Sequence, residues 1–192
     1  ALVTGPLARA LADAGLDLAR VHLPAPGELA DAITRDPGGA AATLIGMRAL
    51  ATAGVPLEIA VPLVRDTLAH ATAIPSWLRA HDIPATAIVV LVPTDAPDPD
   101  ALADLAAAAR ALADLDLAAR TAAIPLRIDP GAAIPPCALE HPGPLAHLYA
   151  LTPGGATSPR HRRIAACDRC TVHDRCPGVP LGVLARAPDL AL

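Results

Sequence analysis

The sequence predicts an α/β fold with four parallel strands, followed by an irregular C-terminal unit that carries cysteines. Four short apolar runs alternate with longer segments of helical periodicity, and their centres are Val21, Ile59, Val89 and Leu126. The runs are about 30 to 40 residues apart, which is the length of one strand, one helix and their connections. We therefore expect a sheet with helices between its strands over residues 1–130, and a second unit over residues 131–192.

In the first half, two predicted helices alternate with two predicted strands, and two polar loops lie between the first strand and the second helix. The predicted helices cover residues 6–15 and 40–53, and the predicted strands cover residues 18–23 and 55–64. Gly15 and Gly54 are stop signals for the two helices. The second strand is an almost continuous apolar run, which indicates burial on both faces of a parallel sheet. Loops are expected at residues 24–27 and 36–39, where proline, glycine and aspartate are concentrated.

The same alternation continues in the second half. The predicted helices cover residues 67–81 and 99–115, and the predicted strands cover residues 86–92 and 123–128. Pro75 interrupts the first of these helices and is expected to start its second part. The other helix has a capping signal at Asp98, with Pro99 in its first position and Asp100 in its first turn.

The segment after residue 131 differs in composition from the rest of the chain. It combines frequent prolines and glycines with little periodicity, which predicts irregular structure. We expect a bound metal to supply much of its order, because metal binding and folding share one free energy in such segments. The alternative is a proline-rich tail without fixed structure.

Composition excludes several classes of function. The chain has 192 residues, is 53% hydrophobic and has a net charge of −4, with no lysine and almost no aromatic residues. A nucleic-acid surface needs basic patches and stacking aromatics, so no nucleic-acid partner is expected. The sequence has neither a transmembrane run nor a secretion signal, so we expect no membrane association, a cytoplasmic location and reduced thiols.

The cysteines are the most informative residues for function. Three of the four form the pattern Cys167-x2-Cys170-x5-Cys176, and Cys137 lies upstream. Cys167 and Cys170 are too close in sequence for a favourable disulfide, so the spacing favours a metal centre with four thiolate ligands. Pro177 follows the last cysteine, as in several iron-sulfur ligand runs. A 4Fe-4S cluster and a tetrahedral zinc ion both remain compatible with these ligands.

Parts of the chain resemble radical S-adenosylmethionine (radical SAM) enzymes. The resemblance lies in residues 10–22 (ALADAGLDLARVH), 31–38 (DAITRDPG) and 43–61 (TLIGMRALATAGVPLEIAV). In that family a helix ending in Ala-Gly leads to a strand, a loop, a second helix ending in Ala-Gly and a long apolar strand. The Cys-x2-Cys-x5-Cys pattern resembles the auxiliary-cluster extension known as the SPASM or twitch domain.

This resemblance implies a specific organisation. Residues 1–130 would be part of a partial parallel (β/α) barrel, and residues 131–192 a SPASM/twitch-like extension that binds an auxiliary 4Fe-4S cluster. The implied cofactors are that cluster and S-adenosyl-L-methionine. The implied partners are an electron donor and a peptide or small-molecule substrate, modified by radical chemistry.

The chain departs from the family in one respect. Radical SAM enzymes carry a Cys-x3-Cys-x2-Cys motif after the first barrel strand, and no such motif occurs here. The sequence opens at Ala1 without methionine, so we expect the first strands and that cluster loop to lie upstream. No catalytic residue is identified. The alternative function is that of a non-catalytic, zinc-binding α/β domain that serves as a scaffold or binding module.

Several further polar residues are candidates for binding roles. His22 lies at the end of one predicted strand and Arg65 follows the next, at the edge where ligands of α/β folds gather, and the two are the candidates for contacting the cofactor. Both positions are also ordinary solvated loop positions. The basic run at residues 160–163 can offset the charge of a four-thiolate centre. His173 can replace a cysteine as a ligand, although four thiolates already suffice.

Overall fold

The computed structural model describes residues 3–93, 98–129, 134–140, 142–149 and 158–186. Over these residues the protein is an α/β fold with one parallel, four-stranded sheet and intervening helices, as predicted. No helix in the described part of the chain is long and apolar enough to span a bilayer.

The strands lie side by side in chain order. They are β1 (Ala19–His22), β2 (Leu57–Pro62), β3 (Ala85–Leu91) and β4 (Leu126–Ile128), and every neighbouring pair is parallel. Each observed strand coincides with a predicted one, and three of them are shorter than predicted. Pro56 and Pro125 directly precede β2 and β4. Proline has no N–H for the ladder, so the regular pairing begins after it.

In the described ranges, five α-helices accompany the sheet and a sixth follows in the tail. They are α1 (Gly5–Asp13), α2 (Glu28–Thr34), α3 (Gly39–Thr52), α4 (Ile74–Ala80), α5 (Leu105–Thr121) and α6 (Leu181–Arg186). Crossovers between parallel strands are right-handed, so a sheet in sequential order places its connecting helices on one face.

Alternate residues of the strands face the helices. Leu57, Ile59 and Val61 of β2 share one hydrophobic core with residues of α3 and α5. Because successive side chains of a strand alternate, Glu58 and Ala60 point to the opposite face. Both are buried, but neither belongs to that core. The sheet therefore has an apolar face against the helices and a second face that carries a buried carboxylate.

The prediction of a helix over residues 67–81 is wrong in its first half. Residues 65–70 form turns, a short 3-10 helix covers Ala71–Ala73, and α4 begins at Ile74 with Pro75 in its first turn. The buried Thr67 hydroxyl accepts a hydrogen bond from the Val64 N–H and donates one to the carbonyl oxygen of Pro62. These local bonds stabilise a turn at the point where the helix was expected to start.

The predicted start of the next helix is also wrong. Residues Pro99–Ala101 form only a 3-10 turn, and α5 begins at Leu105. Asp98 accepts the N–H of Asp100, whereas the N-cap of α5 is Asp104, whose carboxylate accepts the Ala107 N–H at 3.0 Å. Between the 3-10 turn and α5, the buried Leu102 forms a β-bridge to Val64. This contact keeps the chain extended at that point.

Helix α2 was not predicted. It occupies residues 28–34, between the two predicted loops. The Asp31 carboxylate in this helix accepts the N–H groups of Gly38 (2.8 Å) and Ala40 (2.6 Å). These bonds join α2 to the start of α3 and fix the loop between them.

The described part of the tail contains more regular structure and more apolar contacts than predicted. It has 3-10 helices at Pro136–Ala138, Gly143–Leu148 and Ala165–Arg169, and a ribbon of β5 (His161–Arg162) and β6 (Val179–Pro180). Six buried tail residues belong to the same hydrophobic core as the sheet, namely Ile134, Leu139, Leu145, Val179, Val183 and Leu184. The tail therefore packs on the α/β unit through apolar side chains.

Candidate metal centre

The segment with three of the cysteines is a loop closed at its base. Strands β5 and β6 pair in antiparallel fashion, with His161 opposite Pro180 and Arg162 opposite Val179. The Leu181 N–H also donates to the carbonyl oxygen of Arg160 at 2.8 Å. Residues 163–178 therefore form one loop whose ends are held together by backbone hydrogen bonds.

Gly178 makes this closure possible. Its φ is +98°, a conformation that L side chains rarely adopt, and a Cβ atom here would lie 2.5 Å from the carbonyl oxygen of Arg162. The Gly178 N–H points back to the Sγ atom of Cys176 at 3.4 Å. The Cys-Pro-Gly sequence thus ends the loop in a turn that crosses closely over β5.

Backbone hydrogen bonds hold the three cysteines of the loop in tight turns. Cys167 lies in the 3-10 helix Ala165–Arg169, and its N–H donates to Ile164 O at 2.8 Å. The Cys170 N–H donates to Cys167 O at 3.1 Å, and the Cys176 N–H donates to Val172 O at 3.0 Å. Each cysteine thus lies at a tight turn, with its side chain partly buried and its thiol free.

Cys137 comes from a different part of the fold. It lies in the 3-10 helix Pro136–Ala138, which follows β4 and contacts α5. As a residue it is exposed, and like the other three it is a free cysteine. The candidate ligands therefore come from two separate elements of the tail, this 3-10 turn and the loop 163–178.

All four cysteines line one cavity of about 90 Å³. The predicted ligand residues, separated by up to 39 positions from Cys137 to Cys176, are thus brought around the same space. Apolar side chains such as Ile164, Val172 and Val179 complete the walls, and His173 and Arg163 also line them.

The side chains around this cavity do not form a closed metal site. In the described ranges, no group of three or more His, Cys, Asp or Glu side chains is arranged to hold one metal ion. The structure therefore brings the four predicted ligands to one cavity without arranging them around a common point.

The electrostatics of Cys137 reflect the proximity of the four thiols. Partial burial of its thiol raises the pKa of Cys137, and repulsion from the thiolates of Cys176, Cys167 and Cys170 raises it further. Thiolates that repel each other in a partly apolar cavity are stabilised by a bound cation or cationic cluster. The donor set and the cavity therefore suit a metal group.

Tyr149, the sole tyrosine of the chain, lies beside this centre. Burial raises its pKa, with smaller contributions from the thiolates of Cys137 and Cys176. Its hydroxyl donates to the carbonyl oxygen of Ile134 at 3.2 Å. Tyr149 thereby ties the segment after the 3-10 turns to the segment that leads to Cys137.

The residues of the basic run 160–163 have different positions in the structure. Arg163 lines the cavity, whereas His161 and Arg162 form β5. Burial and the adjacent Arg160 lower the pKa of His161, and its Nδ1 atom lies 2.8 Å from the Ser158 hydroxyl. Within this run, Arg163 is the residue placed to offset the charge of the thiolates.

The two candidate cofactor-binding residues lie at the same edge of the sheet. His22 is the exposed last residue of β1, and Arg65 follows β2. The Arg65 guanidinium lies 3.8 Å from the Asp100 carboxylate, and both side chains are largely exposed. Among the described residues, no hydrogen bond or ion pair joins His22 to Arg65. The structure thus places His22 at the carboxyl end of β1 and Arg65 beyond that of β2, without a described contact that joins them.

A charged cluster on the second face of the sheet was not predicted. Glu58 of β2 is 4% exposed and accepts two hydrogen bonds from Arg20 of β1, at 3.0 and 3.2 Å. Its other oxygen pairs with Arg127 of β4. Arg20 also reaches Asp129, directly after β4, at 3.4 Å. The available sequence signal was one glutamate in the apolar run 55–64 with an arginine in two of the other strands.

No family model, curated protein or solved structure matches the chain.

Proposed function

We propose that the protein binds a 4Fe-4S cluster through Cys137, Cys167, Cys170 and Cys176. The observation that carries the proposal is the single cavity lined by these four cysteines, which are the chain's whole complement. Four thiolates are the usual ligand set of such a cluster. When bound, the cluster supplies a site that accepts and returns one electron.

The size of the cavity is compatible with a cluster. A site for one water molecule requires about 10–15 Å³, so a cavity of about 90 Å³ has room for a group of several heavy atoms. Metal analysis distinguishes such a cluster from a zinc ion, which the same four cysteines could also bind.

The protein also provides polar groups that suit a negatively charged cluster. The Gly178 N–H already points to the Cys176 sulfur, and Arg163 lies in the cavity wall. Hydrogen bonds to the sulfurs and nearby positive charge stabilise the more reduced form of such clusters. The apolar walls limit the access of water.

The α/β unit supports the wider proposal of a radical SAM enzyme. Its four parallel strands follow one another in chain order, which is the strand order of a (β/α) barrel. In a flat sheet, three spacings of about 4.8 Å separate β1 from β4, and side chains stand perpendicular to the sheet. The contact between Arg20 and Asp129 reaches from β1 to the residue after β4. It is compatible with a sheet that curves toward this face, as part of a barrel would.

The complete proposal is therefore that the chain is the C-terminal portion of a radical SAM enzyme with an auxiliary 4Fe-4S cluster. S-adenosyl-L-methionine would bind at the carboxyl edge of the strands, where His22 and Arg65 lie. The substrate would be a peptide or small molecule, and an electron donor would serve the cluster.

Metal analysis of anaerobically prepared protein tests the cluster. We expect a brown protein with iron and acid-labile sulfide equivalent to one 4Fe-4S cluster per chain. Cys170→Ala should lose most of the iron, whereas Thr171→Ala, which alters an exposed neighbour outside the cavity wall, should keep it. A colourless protein with one zinc ion per chain would contradict the proposal and favour the zinc-binding scaffold.

A second measurement tests the auxiliary role. A cluster with four protein ligands has no open iron for S-adenosyl-L-methionine, so the reduced protein should form no 5′-deoxyadenosine. Formation of that product by this chain would show that its cluster cleaves the cofactor, which contradicts an auxiliary role.

A further inference from the structure

The cavity has five potential ligand residues for a group that needs four. His173 lines it together with the four cysteines. We propose that His173 is a reserve ligand, which takes the fourth coordination position of the metal centre when Cys137 leaves it. This inference rests on the proposed cluster and specifies how its ligands are used.

The His173 ring is already set in the tautomer that a ligand needs. Its Nδ1 atom lies 3.0 Å from the carbonyl oxygen of Cys170. A carbonyl oxygen only accepts hydrogen bonds, so Nδ1 carries the proton and Nε2 of the neutral ring keeps its lone pair. A backbone carbonyl that holds one ring nitrogen in this way is typical of metal-bound histidines.

The loop alone can provide a complete Cys3His set. Cys167, Cys170, His173 and Cys176 all lie within residues 163–178, whose ends are joined by the β5 and β6 ribbon. Cys137 differs from these four because it lies outside the loop, in the 3-10 turn after β4. Loss of the bond to Cys137 therefore leaves the loop and its other ligands in place.

The exchange involves no oxidation or reduction. The bond between iron and Cys137 Sγ breaks with the electron pair on sulfur, and this thiolate takes a proton from water. A bond from His173 Nε2 to the same iron replaces it. One anionic ligand gives way to a neutral one, so the centre becomes more positive by one charge. Histidine ligation raises the reduction potential of iron-sulfur clusters.

Three variants test this exchange in the full chain, each prepared anaerobically. Cys137→Ala should retain iron and sulfide close to the wild-type amounts, show nitrogen hyperfine coupling that the wild type lacks, and have a higher reduction potential. Cys137→Ala combined with His173→Ala should lose most of the cluster. Cys137→Ala combined with His70→Ala is the matched control, because His70 lies outside the cavity wall, and it should behave like Cys137→Ala.

The outcomes separate this inference from the proposed function. Absence of iron and sulfide in the wild type would contradict the cluster itself. A normal wild type with equal loss of cluster in Cys137→Ala and in the double variant would overturn the role of His173, as would a retained cluster without nitrogen coupling. Circular dichroism of each variant shows whether the α/β unit remains folded, so a loss of metal can be distinguished from unfolding.

Discussion

Among single residues, Glu58 shows how the sheet accommodates a buried charge. It is a charged side chain in a strand that is otherwise apolar, and it is almost fully buried. A buried carboxylate is costly unless it is paired, and here two guanidinium groups from β1 and β4 provide the pairing. Both arginines remain partly exposed, at 44% and 58% of their side chains. Glu58 thereby links strands that are not all neighbours.

Glu58→Gln should destabilise the protein by about 1–3 kcal/mol. The amide keeps the shape but removes the charge, so Arg20 and Arg127 lose their shared partner. This loss of stability should be smaller than the loss caused by breaking a fully buried ion pair, which is about 3–5 kcal/mol. The reason is that both guanidinium groups keep contact with water. Urea denaturation followed by circular dichroism measures the change. Glu28→Gln, at an exposed position of α2, should change stability by less than about 0.5 kcal/mol, and an equal effect of both variants would contradict the structural role of Glu58.

At the scale of elements, local signals in the sequence were sufficient for the strands but not for every helix. The four strands were predicted because β-branched and aliphatic runs between turn signals have few other interpretations. The helix start at residue 99 was wrong because Asp98-Pro99 is as good a local signal as Asp104. What decides between them is the bridge between Leu102 and Val64, a contact between distant residues. Helix α2 was missed because it has only seven residues between two strong loop signals.

At the candidate site, too, local sequence signals were sufficient and contacts between distant residues were missed. The spacing of Cys167, Cys170 and Cys176 predicted a metal centre because these ligands are local in sequence. The Arg20 contacts join residues 38 and 109 positions apart, so the order of the strands in the sheet brings them together. Pairs of this kind cannot be read from a local pattern. The tail's apolar contacts with the core were missed for the same reason.

The N-cap of α5 gives a direct comparison of prediction and structure. Asp104→Ala should lower stability by about 1 kcal/mol, because the Ala107 N–H loses its acceptor at the helix start. Asp98→Ala should cost clearly less, because Asp98 supports only an exposed 3-10 turn. Thermal denaturation of the two variants checks the order. A larger effect at Asp98 would mean that the helix begins where the sequence predicted it.

At the scale of the whole molecule, the tail is joined to the α/β unit in two ways. Apolar residues such as Val183 and Leu184 belong to the common core. The 3-10 turn Pro136–Ala138 forms a second connection, because it contacts α5 and its Cys137 shares one cavity with the cysteines of the loop. The core does not depend on a metal, since its strands and α5 contain no cysteine. In the proposed cluster-bound protein, we expect the cluster to add to the order of residues 163–178, because three of its four ligands belong to this loop.

Gly178→Ala tests this division of roles. The new Cβ atom would overlap the Arg162 carbonyl and adopt an unfavourable φ, which costs about 1–3 kcal/mol locally. We expect loss of iron together with faster tryptic cleavage at the arginines of the loop, Arg163, Arg169 and Arg175. The helical circular dichroism and the main thermal transition should change little, because most of the core is built from residues of the sheet and its helices.

Gly143→Ala is the matched control, because a Cβ atom there meets no atom within 4 Å. It should retain the iron and the protease resistance of the wild type. If Gly178→Ala instead unfolds the sheet and the loop in one transition, the tail is an integral part of the α/β fold. If it keeps both iron and protease resistance, closure of the ribbon is not what holds the ligands in place.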